Sequence, residues 1–559
     1  MTAPSSPYGQ VLTCLAFDRE HPETFLATLD VRPPALADEF SLRQLCYLAY
    51  YLADPIIDCK AFLIENHYID RDHMEDHSVF YSRTFYPYPN YCRRVHFFSI
   101  APSEVGIEID RLRRSARSDG RNGYLKNARE LSDRIYIGFS VLKPLTGTPV
   151  GRTVIKAFPE AKKGEPDYHR LFSGSHTHQV HVAGVTLFVK GIPFQQQDKA
   201  VAACATTAIW SALHRARELE NLAPFTPAQI TALASRNSLP FGRPMPSEGL
   251  SVDQMCQAVQ SMGVSPVLRR AENFDNSRAL LYSAVRSGIA PVLVITDGRQ
   301  WHAVAVTGMG TREKEVPDRE GVRDGAACLE ALYLHDDRVG PYLKADIQSM
   351  EVLPARTTFP NVTIKQPPLV LAIQFDQRQG TAAQRWLIDE TDLEDQRWLL
   401  SHILFPMHPK VRITFGELRE IAIQWLAAEI DVYREEVAGT AQTKASSSIF
   451  DFETWIAKSS AYQEGLLLRQ EQAPDMGVVT SLAENVSLPR YVGVIRFEAE
   501  DFDRMDFLVD TTTTERNLHA IALVVHAATK DFTMGLADYL SRHFECRLVA
   551  SSGARIARP

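Results

Sequence analysis

The sequence predicts an α+β protein built from several domains. Three observations carry that expectation. A chain of 559 residues is longer than one hydrophobic core serves, which points to about two to four domains. Strand-like runs rich in β-branched and aromatic residues gather at 135–189 and 291–334. Helical periodicity is segregated into other stretches rather than alternating strand by strand.

In chain order, the first region, 1–190, reads as mixed α/β. Leu42, Leu45, Cys46 and Leu48 recur at helical spacing, with Ser41 as N-cap and Pro55 beyond the end. The segment 68–77 is dense in carboxylates and histidines, with His73 and His77 four residues apart. It reads as a solvated helix start, with a metal site as the less favoured meaning. Residues 135–142, 151–158 and 178–189 read as strands, the first two separated by the turn-forming Lys143-Pro144-Leu145-Thr146-Gly147. His176 and His178 share a strand face while His181 points away, so these three do not suit one tetrahedral metal site.

The second region, 191–356, turns helical at 204–219 and 227–236. Ser251 and Gln254 form a capping box that opens a helix stopped by Gly263, and 277–286 is a further helix closed by Gly288. Two apolar strands, 291–296 and 302–307, flank the turn at Asp297-Gly298, and 327–334 is a third. The last region, 357–559, again reads as mixed α/β. It begins with a turn-rich connection and has a long helix from a capping box at Thr414 and Glu417. A small, polar linker near 438–448 follows, then a helix near 452–469 and strands at 491–497 and 507–509.

Composition narrows the function. Hydrophobic content of 45% and charged content of 23% are ordinary for a globular protein. A net charge of −8 speaks against a general nucleic-acid binder. No apolar run approaches the roughly 18 residues that span a bilayer. The start lacks a basic stretch followed by an apolar one, so no signal peptide is expected. The eight cysteines are scattered without a CxxC pair, which fits free thiols in a reducing cytoplasm.

One of them stands apart. Cys204 lies among small residues where a helix begins, just after Phe194-Gln195-Gln196-Gln197-Asp198. The unpaired N–H groups and the positive end of a helix dipole favour thiolate over thiol at such a place. His302 opens a buried-type strand that ends in Gly308, and Asp336 follows the next strand, before Gly340. A thiol nucleophile needs a base within hydrogen-bond reach and a third group to set the imidazole tautomer. Cys204, His302 and Asp336 supply those types in order, with Asp337 as an alternative orienter. Cys256 reads as a core residue and Cys328 as a strand residue.

Residues 194–342 of the 559 resemble a papain-like cysteine peptidase, closest in pattern to the bacterial C39-like branch. The resemblance rests on the Gln-x-Asp segment, the cysteine, the histidine strand ending in glycine, and the Asp-x-x-x-Gly after the following strand. It implies a papain-like fold in the middle of the chain. It also implies Cys204 as nucleophile, His302 as general base and acid, Asp336 as orienter, and Gln196 or Gln197 in the oxyanion hole. The family has Asp-Cys-Gly where this chain has Ala203-Cys204-Ala205, and a shorter glutamine-to-cysteine spacing, which leaves the two glutamines as alternatives. No ABC transporter accompanies the domain, so processing of Gly-Gly leader peptides is not carried over.

The expected activity is attack of Cys204 on an amide carbonyl of a protein or peptide, with no metal and no cofactor. Deamidation or acyl transfer would use the same residues, since the acceptor pocket decides the outcome. The flanking regions would restrict access or receive a regulatory protein partner; neither nucleic acid nor membrane is expected as a partner. Two other readings remain from this sequence: a catalytically idle papain-like scaffold that binds a protein, and a metal-dependent hydrolase using His176, His178 and the 68–77 segment.

Overall fold

The computed structural model describes residues 12–29, 43–145, 147–162, 165–198, 203–236, 249–312, 322–352, 359, 369–373, 396–440, 450–468, 476–512 and 520–550. The turn-rich stretch at 357–368, apart from Phe359, and the linker at 441–448 lie outside them. The protein is a mixture of helices and sheets, and it folds as two compact units, each assembled from three chain segments: 1–271, 289–310 and 330–406 in one, 272–288, 311–329 and 407–559 in the other.

The first unit holds two large sheets. An antiparallel five-stranded sheet runs in chain order from Leu12–Ala16 through Ala61–Tyr68, Cys92–Phe98 and Tyr136–Leu142 to Val150–Ile155. Its core closes under the helices Pro102–Ser118 and Gly120–Ile135 through Val105, Ile109, Leu112 and Leu131. The expected strand at 178–189 is instead a hairpin of His176–Val182 and Val185–Gly191. Ala183 and Gly184 turn it with φ of 52° and 77°, the positive values that two-residue hairpin turns require. Val180, Leu187 and Val189 add its inner face to the same core.

The second sheet has nine strands and carries the chemistry. Its order is Ser265–Arg270, Gln396–Met407, Leu369–Ile373, Gly340–Ser349, Leu329–Asp336, Trp301–Arg312, Glu165–Phe172 and Ala161–Lys162, with Val292–Thr296 pairing Trp301–Arg312 and Gln396–Met407. Val292–Thr296 and Trp301–Arg312 form the expected antiparallel hairpin about Asp297-Gly298, Gly298 taking φ of 88°. The sheet thus draws strands from before 191 and from beyond 356.

Helices Cys204–Glu220, Pro227–Ala234 and Val252–Ser261 share a core with it. In the first of these every residue from Ala205 to Leu213 is buried. Side chains such as Ile209 and Trp210 contribute about 1.5–3 kcal/mol each. The helix ends at Asn221 in the left-handed region, φ 54°, a conformation asparagine tolerates. The capping box is present as read: Ser251 Oγ accepts from Gln254 N at 3.2 Å and Gln254 Oε1 from Ser251 N at 2.9 Å.

The 68–77 segment corrects the sequence reading. It forms the helix Arg71–Val79, N-capped by Asp70, but Asp70, Asp72, His73 and Asp76 are buried rather than solvated. Two cations make this tolerable, since a buried carboxylate needs a charge partner. Lys143 Nζ lies 3.6 Å from Asp76, and Arg152 is paired with Asp70. His73 and His77 spend a ring nitrogen each on the carbonyls of Pro89 and Tyr88, both at 3.0 Å. They form no metal cluster among the described residues.

The second unit has a six-stranded sheet in the order Val322–Asp324, Phe450–Lys458, Tyr491–Ala499, Met505–Asp510, Ala520–Val525 and Arg547–Val549. The helix expected near 452–469 begins only at Ser459; Phe450–Lys458 is a strand. Its inward Phe450, Phe452, Thr454 and Ile456 follow a period of two that the reading took for helix. The long helix capped by Thr414 and Glu417 is present to Thr440, widened by a π turn at Ile421–Leu426. Asp506 centres this unit's polar core, accepting from Arg496 at 2.7 and 2.8 Å and from Tyr462 at 2.8 Å.

Candidate active site

Cys204, His302 and Asp336 meet within the first unit. Cys204 is the first residue of its helix and half-buried. Ala203 precedes it in extended conformation, φ −81° and ψ 171°, and has no side-chain oxygen with which to cap the first turn. The first-turn N–H groups therefore keep their capacity to bind negative charge at Cys204.

His302 is the second residue of Trp301–Arg312, paired across the hairpin with Ile295 and 4% exposed. Its Nε2 lies 3.0 Å from Asp336 Oδ1, and the Cys204 side chain acts on the same ring, helping to raise its pKa. With Nε2 engaged by Asp336, Nδ1 is the nitrogen left for the thiol.

Asp336 ends the strand Leu329–Asp336 and starts a tight turn to Gly340. The turn orients the carboxylate through its own backbone, since Arg338 N–H donates to Asp336 Oδ1 at 2.9 Å. Helix Arg43–Ala53 holds the turn from outside: Gln44 Nε2 donates to the carbonyls of Asp337 and Arg338, both at 3.1 Å. The two glycines have a steric reason. A Cβ at Gly340 would come within 2.1 Å of the Tyr47 ring, and one at Gly308 within 2.7 Å of the Leu171 carbonyl.

Electrostatics separates the two acids. Burial is the largest single influence on His302 and pushes its pKa down, yet the charge and hydrogen bond of Asp336, with the help of Cys204, together outweigh burial and the opposing Arg338, and the imidazole is pushed up to about 10. Burial likewise opposes charge on Asp336, but His302 and Arg338 hold it well below the usual carboxylate range. Asp337 stands 3.7 Å from His302 Nε2 with its Oδ2 buried and unpartnered. Burial, reinforced by the Asp336 charge, wins there over His302 and Arg338, and its carboxyl is pushed up to about 6. Asp336 is therefore the nearer neighbour of the imidazole and the one that stays ionised as pH falls through 6, and the alternative orienter is the worse placed.

A raised carboxyl in the folded state binds protons that the unfolded chain has already released. Its penalty is complete above about pH 6 and fades as pH falls toward 3.8. Asp337→Asn should therefore stabilise the fold at pH 7.5 by about 1–2 kcal/mol, and the gain should vanish by pH 4, as chemical denaturation at the two pH values would record.

His302, Asp336 and Asp337 are also the one group of three metal-ligand types within 4.8 Å of one another among the described residues. Arg338, with its Nε 3.6 Å from Asp336, adds a positive charge that works against a cation there. The neighbouring His335 is committed elsewhere: its Nε2 faces the Ile192 carbonyl at 3.1 Å and its Nδ1 accepts from Tyr342 N–H at 3.2 Å. Burial pushes its pKa down to about 3.

The glutamines differ sharply. Gln196 is 3% exposed; its N–H donates to the Val150 carbonyl at 2.9 Å and its Oε1 accepts from Val150 N–H at 3.2 Å. That fixes the amide and leaves Nε2 as the donor. Gln197 is half-buried, and Asp198 accepts from the Tyr81 hydroxyl at 3.0 Å. Gln195, which the sequence reading passed over, is 1% exposed with both amide atoms unpartnered. Being first in a run of identical residues, it carried no distinguishing signal.

Trp398 was also missed. Its ring lies 6.1 Å from that of His302 and 4.5 Å from the Arg338 guanidinium, and it is 3% exposed. It screens the His302–Asp336 pair from water, which strengthens the pair's interaction. Cys328 hydrogen-bonds the Gly325 carbonyl at 2.8 Å, and Cys256 packs partly buried beside Met255 and Val259; neither approaches this site's chemistry in kind. No family model matches the chain, and no curated protein matches it.

Proposed function

We propose that this chain is a thiol-dependent amide hydrolase, a cysteine peptidase with a papain-like catalytic fold acting on a protein or peptide. The observation that carries the reading is the 3.0 Å contact of His302 Nε2 with Asp336, on the same ring whose pKa Cys204 helps to raise. Nucleophile, base and orienter come from a helix start, a strand start and a strand end, and such convergence is the geometric requirement for covalent catalysis.

In the proposed reaction His302 takes the thiol proton of Cys204 and the sulfur attacks the amide carbon. The tetrahedral oxyanion is met by the Cys204 backbone N–H and by Gln196 Nε2. His302 gives its proton to the departing amine, leaving an acyl group on Cys204. It then takes a proton from water, whose oxygen attacks the thioester, and returns that proton to the departing sulfur, so that the acid and the free thiol are released. Asp336 holds the ring in place throughout. Gln196→Ala should lower kcat about 10²–10³-fold, while Gln197→Ala should leave it nearly unchanged.

A reducing cytoplasm suits the proposal, because all eight cysteines are free and Cys204 has to stay a thiol. Among the described residues no helix is long and apolar enough to cross a membrane. The deamidase and acyltransferase outcomes share every step up to the acyl-enzyme. The competing reading, an idle scaffold that binds a protein partner, draws on the Ala203-Cys204-Ala205 surroundings of the thiol.

An acyl donor that needs no specificity pocket tests the proposal. Incubation with p-nitrophenyl acetate, followed by peptide mass mapping, should place an acetyl group on Cys204 and release it on standing. Acetylation spread evenly over the cysteines, or none at Cys204, would favour the scaffold. Release of ammonia from glutamine peptides, without new amino termini, would mark a deamidase.

A further inference from the structure

The strand alternation that excluded His181 from a metal site is correct: His176 and His178 are partly buried while His181 is exposed, its Nδ1 3.2 Å from Thr186 Oγ1. A different third histidine comes in. His214, on the Cys204 helix, has its ring 5.8 Å from that of His176 and 6.2 Å from that of His178, which themselves lie 3.8 Å apart. Each ring has a buried nitrogen with no hydrogen-bond partner: Nδ1 of His176, Nε2 of His178 and Nδ1 of His214.

Three orphaned nitrogens in one place are costly, about 1–3 kcal/mol each, and call for a ligand that takes lone pairs. The chemical state is right for it. Burial pushes the His176 pKa down to about 4 and those of His178 and His214 well below the ordinary value, so all three are neutral imidazoles. The Gly191 carbonyl acts against that shift at His178 without reversing it. With the ring neutral and Nε2 unpartnered, a proton on Nδ1 leaves Nε2 a bare lone pair, the form in which histidines ligate metals.

We propose that His176, His178 and His214 form a binding site for a divalent transition metal of the zinc class. An imidazole nitrogen sits about 2.0–2.1 Å from such an ion, which puts each ring centre about 3.2 Å away and lets two ligand rings lie up to about 6.4 Å apart. All three separations fall within that reach. The nitrogens do not converge on one centre as the rings stand. Coordination turns the His176 and His178 rings, now tilted 41° and almost in contact, so that both lone pairs face His214. Room for the His214 ring comes from a small cavity it lines with Leu213, Phe225 and Met262. Arg152, Arg215 and Arg217 add positive charge nearby and Glu218 negative, so micromolar rather than nanomolar affinity is expected. The ion would tie the hairpin at 176–191 to the helix that begins with Cys204, and the site stands independently of the thiol chemistry proposed above.

The test is a Co²⁺ titration of the chelator-stripped full-length chain, followed by visible absorption and by displacement with Zn²⁺. One equivalent should bind, with a rise in Tm. His178→Ala and His214→Ala should each weaken binding at least tenfold, and His181→Ala and His302→Ala should not. Should His214→Ala fail to fold, His214→Gln and His178→Gln decide the matter, with the melting curve of each stripped variant as control. No binding, or binding indifferent to His178 and His214, overturns the proposal. Loss of binding in His302→Ala alone also overturns it, because it assigns the ion to His302, Asp336 and Asp337.

Discussion

Replacing His302 by alanine should slow acylation of Cys204 by about 10²–10⁴-fold, the range that a positioned general acid and base contributes. The effect is large because one ring serves two steps, taking the Cys204 thiol proton for the attack and later a proton from water. Stopped-flow release of p-nitrophenol measures the first step, and decay of the acetylated protein by mass spectrometry measures the second. Both rates should fall. His302→Gln, which retains bulk in a buried position, separates lost proton transfer from lost packing, and it should be as slow as the alanine variant.

Asp336→Asn should be nearly as damaging. Loss of the orienting acid reaches about 10⁴-fold in a serine triad, and the physical cause is the same here: an amide does not hold the imidazolium or select its tautomer. The pH profile supplies a signature that lost packing would not. With Asp336 present the His302 pKa is about 10, and without it burial dominates and takes the ring below its ordinary 6.5. The basic limb of the acylation profile should move down accordingly. Stability follows the same linkage. The raised imidazole contributes fully below pH 6.5 and loses its contribution as pH rises through about 10. The depressed Asp336 contributes above its ordinary 3.8 and loses its contribution as pH falls from there. The variant should therefore fall furthest short of the wild type between roughly pH 4 and 6.5, and an alanine at 336 should cost about 3–5 kcal/mol.

The parts of this arrangement that were legible in the sequence are those with local causes. The capping boxes at Ser251 and Thr414 each satisfy two backbone groups within one turn, so residue types at fixed spacing revealed them. The hairpin at Asp297-Gly298 was readable because glycine supplies the positive φ there. Cys204, His302 and Asp336 were singled out by the element ends on which they stand.

Contacts between distant segments left no such trace. Gln44 reaches a carbonyl 293 residues further along the chain, and nothing near Gln44 or Trp398 announces what either will touch. The buried face of Arg71–Val79 was hidden for a related reason. Its carboxylates look like a solvated helix start until Lys143 and Arg152 are brought against them, and strand pairing at a distance does that. His214 likewise read as one more residue on an amphipathic helix until the hairpin set two further imidazoles beside it.

The most direct test of the central claim is competitive alkylation of the native protein with iodoacetamide, mapped by mass spectrometry over a pH series. Cys204 should react at least tenfold faster than each of the other seven cysteines, and its advantage should disappear in His302→Ala. Labelling of Cys204 no faster than the rest, or a rate indifferent to His302, would contradict the assignment of this thiol and imidazole as a catalytic pair.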